Sequence, residues 1–335
     1  TINKESIMTN IKKIGLTALA GSLVATSAFA GAMDVTGSAS VKFQSEHETE
    51  HTGNNYSMGQ TLNFAGSGDL DNGMTISYGY LMTNAALSSS TLKLDMGDMG
   101  SLHFAEGANP AGIGGWKDKM PTAGEEVYDD MGGEANGYAT FPTNGTIGYN
   151  GNLGDLVNVS VSYNKNSSSV TNVAATISGN SDTKTITTNT GSSSSIVISG
   201  SPADGATVFY GQGEKAGTTK NNGTDMWTAG VTYATGATTF GVQQTAIDSA
   251  TANADADRLH IAASYQVNDD LAISYGMSTV EFEDATKVDQ EDSGFSISYT
   301  MGSMSLVGSW LESDNVSGAS ATDDSHTEIA LSFAF

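Results

Sequence analysis

The stretch Val157-Asn158-Val159-Ser160-Val161-Ser162-Tyr163 decides the fold: every odd position is apolar or aromatic and every even one is small and polar. Successive side chains of a strand point to opposite faces, so this alternation describes a strand with one greasy face and one wet face. Working outward, the pattern recurs. Phe295, Ile297, Tyr299 and Met301 alternate with Ser296, Ser298 and Thr300. Ile329, Leu331, Phe333 and Phe335 alternate with Glu328, Ala330, Ser332 and Ala334. Leu92, Leu94 and Met96 flank Lys93 and Asp95, and Leu259, Ile261, Ala263, Tyr265 and Val267 interleave with Arg258, His260, Ser264 and Gln266. Fourteen such strands can be counted, near 34–45, 56–69, 74–84, 89–96, 100–106, 137–149, 156–165, 225–235, 237–247, 256–267, 271–282, 292–301, 303–311 and 326–335.

A soluble β-sandwich would alternate too, but three features separate the two. The strands run to about 9–12 residues, the length a tilted strand needs to cross a bilayer. Connections alternate in length. Tight-turn chemistry stands at Leu70-Asp71-Asn72-Gly73, Gly97-Asp98-Met99, Asn150-Gly151-Asn152, Thr235-Gly236, Asn268-Asp269-Asp270 and Gly302-Ser303. Long polar segments lie between them, around 46–55, 107–136, 166–222, 248–256, 283–292 and 312–325. Finally, Tyr149, Tyr233, Tyr265 and Tyr299 each precede a short turn on the apolar parity, with Phe335 in the matching place. One ring of aromatics at one height is an interfacial girdle, which a sandwich has no reason to build.

The chain has 335 residues, 13 Lys plus Arg against 37 Asp plus Glu, and a formal net charge of −24. That acid excess leaves no basic face for a phosphate backbone and excludes nucleic acid as a partner. No cysteine is present, which removes disulfide scaffolds, thiolate metal sites and cysteine nucleophiles. Residues 1–30 read as a leader with a signal peptide that is cleaved: Lys12 and Lys13 precede an apolar run from Ile14 to Ala25, and Ala28-Phe29-Ala30 is an A-x-A cleavage site. Removing them takes away Lys4, Lys12, Lys13 and Glu5. The mature 31–335 domain then carries 10 basic and 36 acidic residues, a net of −26.

Enzyme signals are thin. His47-Glu48-Thr49-Glu50-His51 spells H-E-x-x-H, whose zinc chemistry needs a helix seated in a core. Here the segment is wholly polar between two alternating strands, so it reads as a loop and no metal site is assigned. No Ser/His/Asp set can be assembled from five scattered histidines. Ser167–Ser169 and Ser192–Ser195 read as flexible surface.

The leader ending Ala28-Phe29-Ala30, the opening strand Asp34 to Ser45 and the closing Thr327–Phe335 strand with its terminal phenylalanine resemble the general porins of Gram-negative outer membranes, in the alphaproteobacterial style. The resemblance implies a non-enzymatic, all-β transmembrane antiparallel barrel of 16 strands, a homotrimer, with the third long loop folded into the lumen. Against 14 counted strands, that requires one more hairpin. Val170 to Ile177 and Thr183 to Thr188 alternate weakly and are its expected place; if they stay outside, the barrel has 14.

The third long connection, Gly107 to Asn136, holds Asp118, Glu125, Glu126, Asp129, Asp130 and Glu134. Thr122-Ala123-Gly124-Glu125 reads as a capping box, which predicts a short helix over Ala123–Met131. In related porins this loop narrows the pore, so Asp118, Glu125, Glu126, Asp129 and Asp130 are expected to form an acidic constriction. Lys42, Lys93 and Arg258 fall on the polar parity, as do His103 and His260, and the three cations are the candidate basic wall. Arg258 is the sole arginine, a departure from the arginine clusters of related porins.

The expected function is a water-filled outer-membrane channel for passive diffusion of ions and small hydrophilic solutes, preferring cations. No cofactor is expected beyond weak calcium binding at the acidic loops. Expected partners are further copies of the chain, outer-membrane lipid and lipopolysaccharide, and the barrel-assembly machinery through Phe335. The alternative is a structural or adhesive outer-membrane barrel with a closed lumen. Small polar inward residues such as Ser160, Ser162, Ser296 and Ser298 favour the open pore.

Overall fold

A computed structural model describes residues 33–46, 55–117, 119–129, 131, 141–154, 156–165, 168–177, 180–189, 192–216 and 223–335. The leader reading over 1–30 and the His47-Glu48-His51 motif fall outside the described residues.

The first strands are β1 (Asp34–Glu46), β2 (Tyr56–Asp69), β3 (Thr75–Thr83), β4 (Ala86–Asp95), β5 (Ser101–Glu106) and β6 (Thr146–Leu153). Then come β7 (Val157–Asn164), β8 (Ser168–Ile177), β9 (Asn180–Asn189), β10 (Ser193–Gly200), β11 (Ala206–Lys215) and β12 (Thr224–Thr235). The chain closes with β13 (Thr238–Ser249), β14 (Ala256–Gln266), β15 (Leu271–Phe282), β16 (Gln290–Met301), β17 (Met304–Asp314) and β18 (Asp324–Ala334). Of these eighteen strands, β8 and β9 pair only with each other, and the remaining sixteen form one closed barrel.

Closure is made by β1 and β18, which run antiparallel from Ser38↔Ala334 to Glu46↔His326. Gly37 and Phe335 add a reciprocal pair of backbone bonds at 2.8 and 2.9 Å. When each wall strand is antiparallel to both neighbours around a ring, only an even number closes. A two-strand error in counting is therefore the smallest one this fold permits.

The expected count of sixteen is correct, but the completing hairpin is not where the weak alternation placed it. Val170–Ile177 and Thr183–Thr188 lie in the separate β8–β9 hairpin. The wall takes β10 and β11 instead, with β10 paired to β7 from Gly200↔Val157 to Ser193↔Asn164. Ser192–Ser195, read as flexible surface, in fact begins a wall strand. The physical reason is that both strands break the greasy-out, polar-in rule. Val197 and Phe209 point inward and are 1% and 5% exposed, because they pack beneath a loop inside the barrel. Val208-Phe209-Tyr210 thus loses its alternation.

Boundaries shift elsewhere for local reasons. β6 begins at Thr146 rather than near 137 and continues through Asn150-Gly151-Asn152, which pair with β7 rather than turning. The β3–β4 connection at the long-loop end is only Asn84-Ala85. Both residues have positive φ, 50° and 67°, the twist a two-residue hairpin needs.

Outside, the barrel is an apolar band. Val231, Val242, Ile261, Leu306 and Ile329 are each about two-fifths exposed there, which a hydrocarbon surround would cover. The girdle stands as read: Tyr233, Tyr265 and Tyr299 point outward before the short turns. Tyr149 also lies on the outward parity, and its hydroxyl donates to the Met99 carbonyl at 2.9 Å. Trp227 on Tyr210 and Trp310 beside Phe295 supply outward aromatics nearer the long loops. No helix among the described residues is long and apolar enough to cross a membrane.

Candidate functional site: the loop inside the barrel

The β5–β6 connection turns into the barrel and is tied to its inner wall. Asn150 on β6 donates to the Pro110 carbonyl at 3.0 Å. The Gly112 N–H donates to Ser160 Oγ on β7 at 2.7 Å, and the Ile113 N–H to Ser195 Oγ on β10 at 2.9 Å. A 3-10 turn follows over Ile113–Trp116. Gln243 on β13 then donates its amide to the Trp116 carbonyl at 3.1 Å. Further on, the Ala123 N–H donates to Ser274 Oγ on β15 at 2.8 Å, and Ser296 on β16 reaches the Glu125 carbonyl at 3.4 Å.

A loop buried in this way must find partners for its backbone groups, because each unpaired buried one costs about 1–3 kcal/mol. Wall serines meet that need, and their short side chains let the loop backbone come close. Glycines do the rest by absence. A Cβ at Gly148 would stand 2.6 Å from Ala111 Cβ, one at Gly241 2.5 Å from Pro121 Cδ, and one at Gly276 2.9 Å from Val127 Cγ1. Apolar anchors complete the seat: Ile113 is buried with Phe141, Val197, Phe209 and Met226, and Trp116 and Ile247 pack against them. Full burial of an isoleucine stabilises by roughly 1.5–3 kcal/mol.

The expected helix over Ala123–Met131 is absent among the described residues, where the segment runs as bends and a turn at 127–129. Thr122 does not cap as predicted: its hydroxyl donates to the Glu125 carbonyl at 2.8 Å and accepts from the Gly124 N–H at 3.1 Å. Two forces defeat the helix. The wall claims its backbone groups, as at Ala123, and the consecutive Val127 and Tyr128 are both buried at 4% and 2% exposure. One helical face cannot supply that burial without turning its carboxylates inward as well.

Glu125, Glu126 and Asp129 sit half-buried on this loop. Asp129 closes a local turn, donating its N–H to the Glu126 carbonyl at 3.0 Å while its carboxylate accepts the Glu126 N–H at 3.2 Å. Asp118 and Asp130 lie outside the described residues.

The candidate cations divide. Lys42 on β1 meets Glu328 at 2.7 Å, and Gln44 donates to the same carboxylate at 2.9 Å. Lys93 on β4 meets Asp95 at 2.9 Å, two residues before the Gly97–Met99 turn and so at the short-turn mouth. Arg258 is different. It is 3% exposed, lies 3.0 Å from Asp292 and donates to Ser278 at 2.7 Å. Its guanidinium stacks 4.8 Å above the Tyr128 ring, which in turn meets His260 edge-on at 5.1 Å. Arg258 therefore touches the loop through an aromatic face and stands behind it, whereas Lys42 lies on β1, away from the anchors, and Lys93 pairs across the β4–β5 ladder with His103, which bonds the Asn150 that holds Pro110. His103 bonds Ser101 and Asn150 through Nε2 at 2.9 and 3.2 Å.

Sequence reasoning missed the seat of the loop. Ser160, Ser162 and Ser296 read as a sign of open space, yet they are 9%, 8% and 2% exposed. Small residues on one parity gave no distinguishing signal, because β1–β3 carry Ser38, Ser40, Gly59, Ser77 and Gly79 on the same inward parity. Among the described residues no group of three or more His, Cys, Asp or Glu is placed to hold a metal ion.

Comparison with known proteins gives one family and one fold. A family model described as Gram-negative porin matches residues 15–315. No curated protein matches the chain in sequence. Among solved structures, a porin refined at 1.8 Å resolution superposes with a TM-score of 0.66 at 14% identity, covering 91% of this chain and all of that one. An anion-selective porin from Comamonas acidovorans gives 0.64 at 13% identity, covering 91% of this chain and 100% of its own. Salmonella typhi OmpF in complex with daunomycin gives 0.62 at 13%, over 91% of this chain and 98% of that chain.

Proposed function

The chain belongs to the Gram-negative porin family, whose members are outer-membrane channels for passive diffusion, and on that premise we propose that this channel prefers cations. One observation carries the preference. Each candidate wall cation already has a carboxylate beside it: Lys42 with Glu328, Lys93 with Asp95 and Arg258 with Asp292, at 2.7, 2.9 and 3.0 Å. A neutralised wall attracts anions weakly, while the loop carries six acids, Glu125, Glu126 and Asp129 among them, against only Lys117 and Lys119, in a chain of net charge −24. The Comamonas relative is anion-selective, so the shared architecture does not choose the sign and side chains must.

The same proposal includes a homotrimer, export through the periplasm with the 1–30 leader removed, and recognition of the Phe335 strand by the assembly machinery. Calcium at the acidic loops would bind weakly. Planar-bilayer recording of the refolded chain tests the central statement. Under a KCl gradient the reversal potential should fall on the cation side, with conductance steps in sets of three. An anion-side potential would remove the preference. A folded, inserted protein that does not conduct would support the closed structural barrel instead.

A further inference from the structure

We propose that the outer face of the barrel carries a seat for one acyl chain of an amine-headed phospholipid, at the short-turn end of β7, β10 and β11. An apolar cavity of about 520 Å³ lies there, bordered by Leu156, Val157, Ile198, Pro202, Val208 and Tyr210. Its volume is that of pockets that hold small molecules.

The sequence makes the hollow. Gly200 occupies the outward parity of β10, after Ile196 and Ile198, with Val157 and Val208 as its cross-strand partners. A residue without a side chain between two valines leaves a trough in the row. The gap is enforced, because a Cβ at Gly200 would stand 2.5 Å from the Leu156 carbonyl oxygen. The far side of the trough is also held in place: Tyr210 stacks on Trp227 at 6.5 Å, and its hydroxyl accepts from the Gln212 amide. The hollow is therefore shaped before anything fills it, which lowers the cost of binding.

Position makes the occupant a lipid. Ile198, Val208 and Tyr210 belong to the outward apolar band, and Val208 lies two residues along β11 from Ala206, the cross-strand partner of the girdle residue Tyr233. The trough thus opens on the hydrocarbon side of the interface, at the depth where an acyl chain leaves its headgroup. A second copy of the chain finds more apolar surface elsewhere: Tyr56 and Met58 on β2 are 63% and 69% exposed, against 41–47% for Ile198, Val208 and Tyr210.

Charge selects the headgroup. The turns bordering the trough, 154–156 and 201–205, contain no lysine or arginine, and Asp204 is exposed in the second. An anionic headgroup would meet a carboxylate with no cation beside it, whereas a primary ammonium donates to that carboxylate.

Bromine on a lipid chain quenches an indole only near contact, so a tryptophan at the trough reports the lipid seated there. The full chain, refolded into phosphatidylcholine vesicles, carries the reporter Tyr210→Trp together with Trp227→Phe and Trp310→Phe. Its reference is Trp227→Phe alone, which keeps Trp310, outward on β17 and away from the trough. Trp116 lies on the loop inside the barrel, out of reach of lipid, and is common to both. At the reporter, brominated phosphatidylethanolamine should compete about threefold better than brominated phosphatidylglycerol, the scale of one exposed charge contact. The reference should show no such preference. Val208→Phe, which fills the trough from outside, should remove the preference, and Asp204→Lys should turn it toward phosphatidylglycerol.

Equal quenching by the two headgroups at the reporter overturns the proposal, as does a preference shared by the reference or one that survives Val208→Phe. A reporter that no lipid quenches, beside a reference that is quenched, places another copy of the chain on this face and also overturns it. The seat lies outside the lumen, so a barrel that keeps the headgroup preference without conducting overturns the channel reading and leaves the seat standing.

Discussion

The arc of wall from β7 to β16 and the arc from β1 to β4 share one strand geometry and differ in what faces inward. The first presents Ser160, Ser195, Gly241, Ser274, Gly276 and Ser296, together with Gln243 and the buried Arg258, and all are met by the loop. The second carries Lys42, Gln44 and Lys93 among small residues such as Ser38, Thr61 and Gly79, and its polar side chains bond to their neighbours on the wall instead of to the loop. A small inward residue marks occupied space only where the loop lies: a Cβ at Gly148, Gly241 or Gly276 would strike the loop, whereas one at Gly79, on the inward parity of β3, would meet nothing within 4 Å. The lumen is narrowed on one side because the loop backbone lies bonded to the wall serines there.

This contrast can be broken most forcefully at its buried charge. Arg258→Met leaves Asp292 without its guanidinium at a site 2% exposed. Losing one partner of a buried pair costs roughly 3–5 kcal/mol, so urea unfolding in vesicles should shift by an amount of that order. Gly241→Val attacks the seat itself by placing atoms against Pro121 and Met120. Overpacking of that kind costs about 1–3 kcal/mol, and because the loop can move while the barrel cannot, single-channel conductance should change too. Ser195→Ala removes the acceptor of the Ile113 N–H and the partner of Ser162; a loss near 1 kcal/mol is expected in the same titration. Lys93→Met, on the second arc, breaks a pair whose side chains are 38% and 45% exposed. Screening holds its stability cost below about 1 kcal/mol. Its effect belongs in the reversal potential, which should move toward cations. Equal destabilisation by Arg258→Met and Lys93→Met would erase the distinction between the arcs.

Much of the fold was legible because one physical rule writes most of the wall. Where lipid lies outside and water inside, period-2 alternation survives, as in β14, β16 and β18. It fails where the inside is not water. Phe209 and Val197 are apolar on the inward parity because the loop covers them, and β11 went uncounted for that reason. The paired Asn152 and Asn158 stayed hidden behind Asn-Gly-Asn, which carries turn chemistry by local preference but is held in the ladder by β7. Of the site, the acidic character of the loop could be read directly. Its path could not, since it depends on which serines from distant strands share one height. Arg258 showed the right parity and concealed its burial, which only Tyr128 and Asp292 together disclose.

The bonds between Gly37 and Phe335 have a kinetic meaning. In an open sheet the outermost strand can peel away, breaking one ladder at a time. Here every wall strand has a neighbour on both sides, so none can leave first without breaking two ladders together. The barrier to loss of structure is then set by the simultaneous rupture of two rows of backbone bonds, in a surround where water is scarce to replace them. Such a wall should persist through slow unfolding more than through a large equilibrium free energy.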